Sequence, residues 1–251
     1  ANGLGSNVVL GVHVSGSTVY AVTEGGLSVS TDGGSTFTNL DVFNEFTSTE
    51  VNAVFIASGA VYAATDNGLS ISTDGGSTFT NRSAANGLGS KTVLGVYAAG
   101  STLYAATSAG LSISTDGGTT FTNRSIANGL GSNTVYGVYA AGNMVYAATG
   151  NGLSISTDGG STFSNRTNAS GLGSNVVRGV YASSSAVYAA TSSGLGIFSV
   201  ESTVSSSETL PLNKDGGFAF ASSVTYGGTY AVNIAAQPSG QICIVSNGSG
   251  S

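Results

Sequence analysis

The chain has 251 residues, and its 12 acidic against 6 basic residues give a formal net charge of -6 at pH 7. The basic residues do not cluster, which argues against a surface that follows nucleic-acid phosphates. Only 7% of residues are charged, 39 are glycine and 40% are hydrophobic. This apolar fraction is enough for a sizeable core, so we expect the glycines in turns and close packing, and we expect no helix.

A 42-residue repeat organises the first 200 residues. A valine and a tyrosine mark it in five units, at Val12, Val54, Val96, Val138 and Val180 and at Tyr20, Tyr62, Tyr104, Tyr146 and Tyr188. Each unit contains four short β-branched or aromatic runs separated by Gly and Asn, which predicts a four-stranded antiparallel meander. In the third unit the predicted strands are residues 93–98, 102–107, 111–114 and 120–123.

Tandem meanders of about 40 residues are typical of β-propeller blades, whose faces pack against neighbouring blades. We therefore predict an all-β protein with a β-propeller of five four-stranded repeats, the fifth incomplete, over residues 1–200. Alanine pairs such as Ala105-Ala106 suit the inner strands, where blades converge. Closure into a ring would remove exposed strand edges. A stacked β-solenoid and an open array are the alternatives.

One octamer recurs at the end of the third strand. The sequence STDGGSTF begins at Ser30, Ser72 and Ser156, and STDGGTTF begins at Ser114. Asp followed by Gly-Gly is typical of a hairpin turn, and the Asp side chain can accept hydrogen bonds from the turn's own N–H groups. We expect the phenylalanines to fill the space between blades. The predicted structural residues are Asp32, Asp74, Asp116 and Asp158 with Phe37, Phe79, Phe121 and Phe163.

The pattern S-x-D-x-G-x-T-F resembles the Asp-box of sialidase-like (BNR-repeat) β-propellers, and all its fixed positions match in four copies. The resemblance implies that the box is a fold element remote from any active site. The segment GLGSNTVYGVYAAGNMVYAATGNGLSIS is also similar to blades of two-component-regulator-type propellers. Together these resemblances cover residues 1 to about 200, and they concern fold more than function.

The sialidase resemblance would imply an arginine cluster against a substrate carboxylate, a Tyr–Glu nucleophile pair and an Asp acid. Arg82, Arg124 and Arg166 follow the repeat period, so we expect them to point apart around the rim. The sole histidine, His13, stands where other units carry Phe or Tyr, and is interpreted as a packing residue. We therefore predict no enzyme, no catalytic residue, no metal site and no cofactor.

A candidate ligand face lies opposite the octamers, where interblade connections and the loops between second and third strands gather. The connection NLDVFNEFTSTE replaces the usual NRSAANGLGSK type and carries Asp41, Phe43, Glu45, Phe46 and Glu50. One position of the innermost strand also varies in every unit, being Leu10, Asn52, Leu94, Tyr136 and Arg178. These residues either meet a cation or a sugar, or are a drifted loop and neutral variation.

The repeat stops after Phe198, and no octamer follows. The fourth strand of the fifth blade comes either from residues 199–212 or from another segment. Residues 201–251 are predicted to form a small, incomplete β module, because TYAVNIAAQPSGQICIVSNGSGS resembles a β-sandwich module of bacterial extracellular proteins. Cys243 has no second cysteine to pair with, which indicates either a buried free thiol or a trimmed module.

The sequence favours a non-enzymatic module on a bacterial surface or outside the cell, with no membrane insertion and no nucleic-acid partner. Structural, adhesive or self-assembling roles fit best, including a filament or surface-layer subunit completed by strand exchange, with a second copy or another surface protein as partner. The alternative is a carbohydrate-binding, lectin-like propeller, which the absence of Trp disfavours. A sensor ectodomain is a third hypothesis.

Overall fold

The computed structural model describes residues 2–40, 48, 50–199, 230–231, 234 and 249–250. In the described part of residues 2–199 the chain forms five antiparallel sheets, one for each 42-residue unit, in chain order. Each sheet is a meander in which consecutive strands pair, as the alternation of short apolar runs and glycine turns predicts. The arrangement is all-β and consistent with a β-propeller. We call the sheets blades one to five.

The strands of blades one to three have the following bounds. Blade one contains β1 (Val9–Ser15), β2 (Thr18–Thr23), β3 (Gly26–Ser30) and β4 (Thr38–Leu40). Blade two contains β5 (Val51–Ala57), β6 (Ala60–Thr65), β7 (Gly68–Ser72) and β8 (Thr80–Arg82). Blade three contains β9 (Val93–Ala99), β10 (Thr102–Thr107), β11 (Gly110–Ser114) and β12 (Thr122–Arg124).

Blades four and five continue the series. Blade four contains β13 (Val135–Ala141), β14 (Met144–Thr149), β15 (Gly152–Ser156) and β16 (Ser164–Arg166). Blade five contains β17 (Val177–Ala182), β18 (Ala186–Thr191) and β19 (Gly194–Ser199). It has three strands in the described part of the chain, and residues 200–212, which could supply a fourth, lie outside that part.

The register of each blade follows from its turns. In blade three, Tyr104 on β10 pairs with Tyr97 on β9 and with Ile113 on β11. A register shift, one residue wide, falls between Ala106 and Thr107. Equivalent shifts occur near the start of the first strand of blades one, two and four.

The interblade connections contain short helical turns, which differs from the expectation of no helix. They are single turns of 3-10 helix at Ala84–Asn86, Ile126–Asn128 and Asn168–Ser170. Ser83 caps the first one, because its side chain accepts a hydrogen bond from the Ala85 N–H group. The turn also places the Asn86 carbonyl 2.8 Å from the Phe121 nitrogen, so the connection is tied to the blade that follows it.

The hydrophobic core lies between successive blades. In the cluster between blades two and three, Tyr62, Leu69 and Ile71 pack with Val93 and Leu103. Equivalent clusters join blades one and two and blades three and four. We call the side of a blade that packs on the next blade its exit face, and the side that receives the previous blade its entry face.

The chain divides into two compact units. One comprises Ala1–Tyr181 and Tyr188–Ile197, and the other comprises Ala182–Val187 and Phe198–Ser251. In the second unit, β20 (Tyr230–Ala231) pairs antiparallel with β21 (Ser249–Gly250). The prediction for Cys243 lies outside the described residues. No helix in the described part of the chain reaches the length or hydropathy needed to cross a bilayer.

Candidate functional site

The aspartate of each octamer turn lies in the same hydrogen-bond network. The octamer turns are residues 30–37, 72–79, 114–121 and 156–163. In blade three, both oxygens of Asp116 accept from Thr120: the backbone N–H lies 2.9 Å from Oδ1 and the hydroxyl 2.6 Å from Oδ2. Ser114 Oγ donates to Asp116 Oδ1 at 2.7 Å, and Ser114 Oγ in turn accepts from the Gly118 N–H at 2.8 Å. The carboxylate therefore closes the turn between β11 and β12.

The same contacts recur at the other three octamer aspartates. Asp32, Asp74 and Asp158 accept from the threonine four residues later and from the serine two residues earlier. Hydrogen bonds from Thr120 and Ser114 hold the pKa of Asp116 far below its usual range, and the other three are lowered by equivalent bonds. Each carboxylate has donors at both oxygens within its own turn, an arrangement that stabilises the turn.

The octamer phenylalanines lie beside the network. Phe79 and Phe121 are buried in the clusters between blades, and Phe163 is partly buried against the cluster between blades three and four. Phe37, in blade one, is half-buried. The backbone of the turn is fixed as well, since the Gly117 N–H donates to the carbonyl of Ser101 in the turn between β9 and β10. Both turns therefore lie on one side of the blade.

The repeated arginines contact the next blade. Arg82 Nε donates to the carbonyl of Gly118 at 2.5 Å, and Arg124 Nε donates to the carbonyl of Gly160 at 2.9 Å. Each of these two guanidinium groups thus ties the last strand of one blade to the octamer turn of the next. Arg82 and Arg124 lie in successive blades, and each contacts a different octamer turn.

A serine and an asparagine form a network that the sequence analysis missed. Ser112 Oγ accepts from the Gly89 N–H at 2.9 Å and donates to Asn123 Oδ1 at 3.0 Å, and Asn123 Nδ2 donates to the Ala109 carbonyl at 2.9 Å. Ser112 is fully buried. The pair recurs at Ser28 with Asn39 and at Ser154 with Asn165, always 11 residues apart, which is the signal that could have revealed it.

Aromatic side chains from all five blades form a continuous ladder along the innermost strands. Its members are His13, Phe55, Tyr97, Tyr139 and Tyr181, and neighbouring ring centroids lie 4.8 to 5.4 Å apart. Burial lowers the pKa of His13, and burial together with neighbouring tyrosines raises that of Tyr97. His13 therefore packs as the first ring of this ladder, in edge contact with Phe55. Tilted and edge-on contacts of this kind are those that aromatic pairs favour.

On the side of the blades opposite the octamer turns, two residues of the candidate ligand face are in contact. The guanidinium of Arg178 lies over the ring of Tyr136, 4.7 Å from its centroid. Asn52 Nδ2 donates to Asp66 Oδ1 and to the Val93 carbonyl, both at 2.9 Å. Cation–π contact and the exposure of Arg178 leave a polar and aromatic surface there.

The other described residues of the candidate ligand face, and those at the varying position of the innermost strand, differ in exposure. Glu50 is exposed, and its carbonyl accepts from the Asp66 N–H at 3.2 Å. Leu10 is exposed and Leu94 half-buried. Asp41, Phe43, Glu45 and Phe46 lie outside the described residues.

Comparison with known proteins relates the fold to bacterial extracellular domains. The sequence matches no protein-family model, and a comparison with curated proteins gives no match. The chain is similar in structure to the extracellular domain of the putative hybrid two component system BT3049 from B. thetaiotaomicron, with a TM-score of 0.65 at 21% identity over 79% of this chain and 29% of that one. The corresponding domain of the putative one component system BT4673 gives 0.65 at 14% identity, over 78% of this chain and 28% of that one.

An ancestral GH74 enzyme is a further structural neighbour, with a TM-score of 0.59 at 21% identity over 75% of this chain and 28% of that one. The chain thus spans less than a third of each of these three proteins. At such identities the likeness concerns the fold, and together with the five antiparallel sheets it supports a β-propeller.

Proposed function

We propose that this chain is a non-enzymatic extracellular scaffold that acts through surface contacts and associates with copies of itself. One observation carries the scaffold role. The four octamer aspartates, which are the recurring acids of the repeat, each have both carboxylate oxygens occupied by donors of their own turn. Such groups hold the outer hairpins of a propeller together, in the manner of an Asp-box.

The arginines and the buried polar pairs support the same proposal. Arg82 and Arg124 join adjacent blades, and Ser112 and Asn123 hold an interblade connection. These arginine, serine and asparagine side chains thus form hydrogen bonds with backbone groups of the fold. The extracellular setting of two structural neighbours favours a bacterial surface location for this chain.

Sedimentation velocity over a wide range of concentrations, with negative-stain electron microscopy of the same samples, tests this proposal. We expect species larger than one chain whose proportion rises with concentration. A compact monomer at every concentration would contradict the self-associating role.

A sugar-binding propeller is the second candidate, favoured by the stacked pair Tyr136 and Arg178. A half-buried ring beneath an exposed guanidinium offers stacking and hydrogen bonding to a saccharide. Screening on a glycan array distinguishes the candidates. Reproducible binding that is lost in Tyr136→Ala and kept in Ile126→Ala, a change at an exposed apolar residue elsewhere, would favour the lectin.

A further inference from the structure

The two terminal blades expose faces that are buried everywhere else in the repeat. On the exit face of blade five, Leu195 and Ile197 are each 61% exposed. Their counterparts in blade three, Leu111 and Ile113, are 0% and 8% exposed. Tyr188 is also exposed, although the equivalent tyrosines of blades one to four are buried.

The entry face of blade one shows the same contrast. Val12 is 64% exposed, whereas Val96 at the same position of blade three is 9% exposed. Val9 and Val14 are likewise exposed. The counterparts of Val9 in blades two to four are buried, and they are Val51, Val93 and Val135. Those of Val14 are also buried, and they are Ile56, Ala98 and Ala140. Blades one and five therefore do not bury each other's apolar faces.

Both terminal faces keep the apolar residues of the buried interfaces. The exit face of blade five carries Tyr, Ala, Leu and Ile at positions 188, 190, 195 and 197, the same residues that blades two, three and four carry at these positions. The exposed side chains of blades one and five therefore form apolar faces that favour a partner.

We propose that the exit face of blade five binds the entry face of blade one in a second copy of this chain. The three clusters between successive blades are the template, because each joins an exit face to an entry face through similar apolar residues. The chain therefore carries both halves of an interface that it already forms internally. This inference rests on the proposed self-association and names its surface.

The template also predicts a polar contact at this interface. Tyr20 on an exit face donates its hydroxyl to the carbonyl of Gly75 in the next octamer turn, at 3.2 Å. Tyr188 stands at the position of Tyr20, and Gly33 stands at the position of Gly75. The hydroxyl of Tyr188 is thus expected to reach the carbonyl of Gly33 in the second copy.

The two faces differ, so the contact is head-to-tail. A head-to-tail contact gives a ring if its rotation closes and an open fibre if it does not. Either product is a self-assembled scaffold, and each copy in it buries one entry face and one exit face. This geometry is distinct from association through strand exchange by the tail, which leaves both faces unused.

Charge substitutions at exposed positions test the inference in the full chain. We expect Val12→Asp and Leu195→Asp each to weaken self-association at least about 30-fold, since a charge would be buried at the centre of an apolar interface. Ile126→Asp is the matched control, because Ile126 is also 61% exposed but lies in an interblade connection. All three variants should keep the melting temperature of the dilute unmodified chain.

Mixing the two variants gives the sharpest result. Val12→Asp keeps an intact exit face and Leu195→Asp keeps an intact entry face, so an equal mixture should form dimers that grow no further in sedimentation velocity. Association that persists undiminished in both variants would overturn this interface while leaving self-association standing. A monomeric unmodified chain would overturn the proposed self-association together with the interface.

Discussion

Leu111 and Leu195 occupy the same position of the repeat, 84 residues apart, and differ in their surroundings. Leu111 is fully buried against blade four, whereas Leu195 is largely exposed on blade five. Both leucines follow the glycine of a turn, so the local sequence does not explain the difference. The exposure of each leucine depends instead on whether a neighbouring blade packs on it. Equivalent positions should therefore contribute unequally to stability.

Alanine substitutions at these two leucines measure that difference. Leu111→Ala removes a buried side chain and leaves a cavity, which should lower the free energy of unfolding by about 2–5 kcal/mol. Leu195→Ala should change it by no more than about 0.5 kcal/mol at concentrations low enough to keep the chain monomeric. Urea denaturation gives both values. Equal losses at the two positions would show that the exit face of blade five is covered within the monomer.

Two consecutive glycines of the octamer turn should differ in their tolerance of a side chain. Gly117 and Gly118 both have positive φ, at 71° and 88°, so alanine at either position costs about 1–2 kcal/mol in backbone strain. A Cβ at Gly117 meets open space, whereas one at Gly118 would lie 2.6 Å from Ile71 Cδ1 of the preceding blade. Gly118→Ala should therefore cost about 1–3 kcal/mol more than Gly117→Ala in chemical denaturation. Equal costs would contradict the close contact between that turn and blade two.

The buried serine of blade three should matter more than an exposed one nearby. Ser112→Ala leaves the Gly89 N–H group without its partner, and we expect a loss of about 1–3 kcal/mol in the free energy of unfolding. Ser108→Ala is the control, because Ser108 is exposed and its hydroxyl donates to the hydroxyl of Ser90, a contact between two side chains. Its effect should stay within about 0.5 kcal/mol. A Ser112→Ala variant as stable as the control would contradict the serine–asparagine network.

Acid should destabilise the fold in a defined range. Each octamer aspartate has a pKa far below its value of about 3.9 in an unfolded chain, so the unfolded state binds more protons as pH falls below about 5. The stabilisation is complete above that range and is lost progressively as the pH falls towards the low pKa of the folded state. The midpoint denaturant concentration should therefore fall steeply below about pH 4. A midpoint that does not change between pH 5 and pH 2.5 would contradict these contacts.

Much of the fold could be predicted because the same pattern of strands and turns recurs every 42 residues. The predicted strand at residues 102–107 matches β10 without change, and those at 93–98 and 111–114 differ from β9 and β11 by one residue. The last strand differs most, since residues 120 and 121 belong to the octamer turn and β12 begins at Thr122. The hydroxyl of Thr120 donates to Asp116 within the turn, and the strand therefore begins only after it.

Other features could not be predicted from local pattern. The 3-10 turns in the interblade connections depend on capping by residues such as Ser83, within a segment that otherwise reads as polar loop. The stacking of Arg178 on Tyr136 joins residues of two different blades and requires their spacing in three dimensions. The exposure of Leu195 depends on what packs beside blade five, which identical repeat residues do not reveal.

The most direct test of the central claim is thermal unfolding of Asp116→Asn against Glu24→Gln. Both changes turn a carboxylate into an amide, but Asp116 closes its octamer turn, whereas Glu24 is exposed in the turn between β2 and β3. The amide nitrogen would face donors from Thr120, so the melting temperature of Asp116→Asn should fall by several degrees while Glu24→Gln melts with the unmodified chain. An unchanged melting temperature for Asp116→Asn would contradict the structural role of the repeated aspartates.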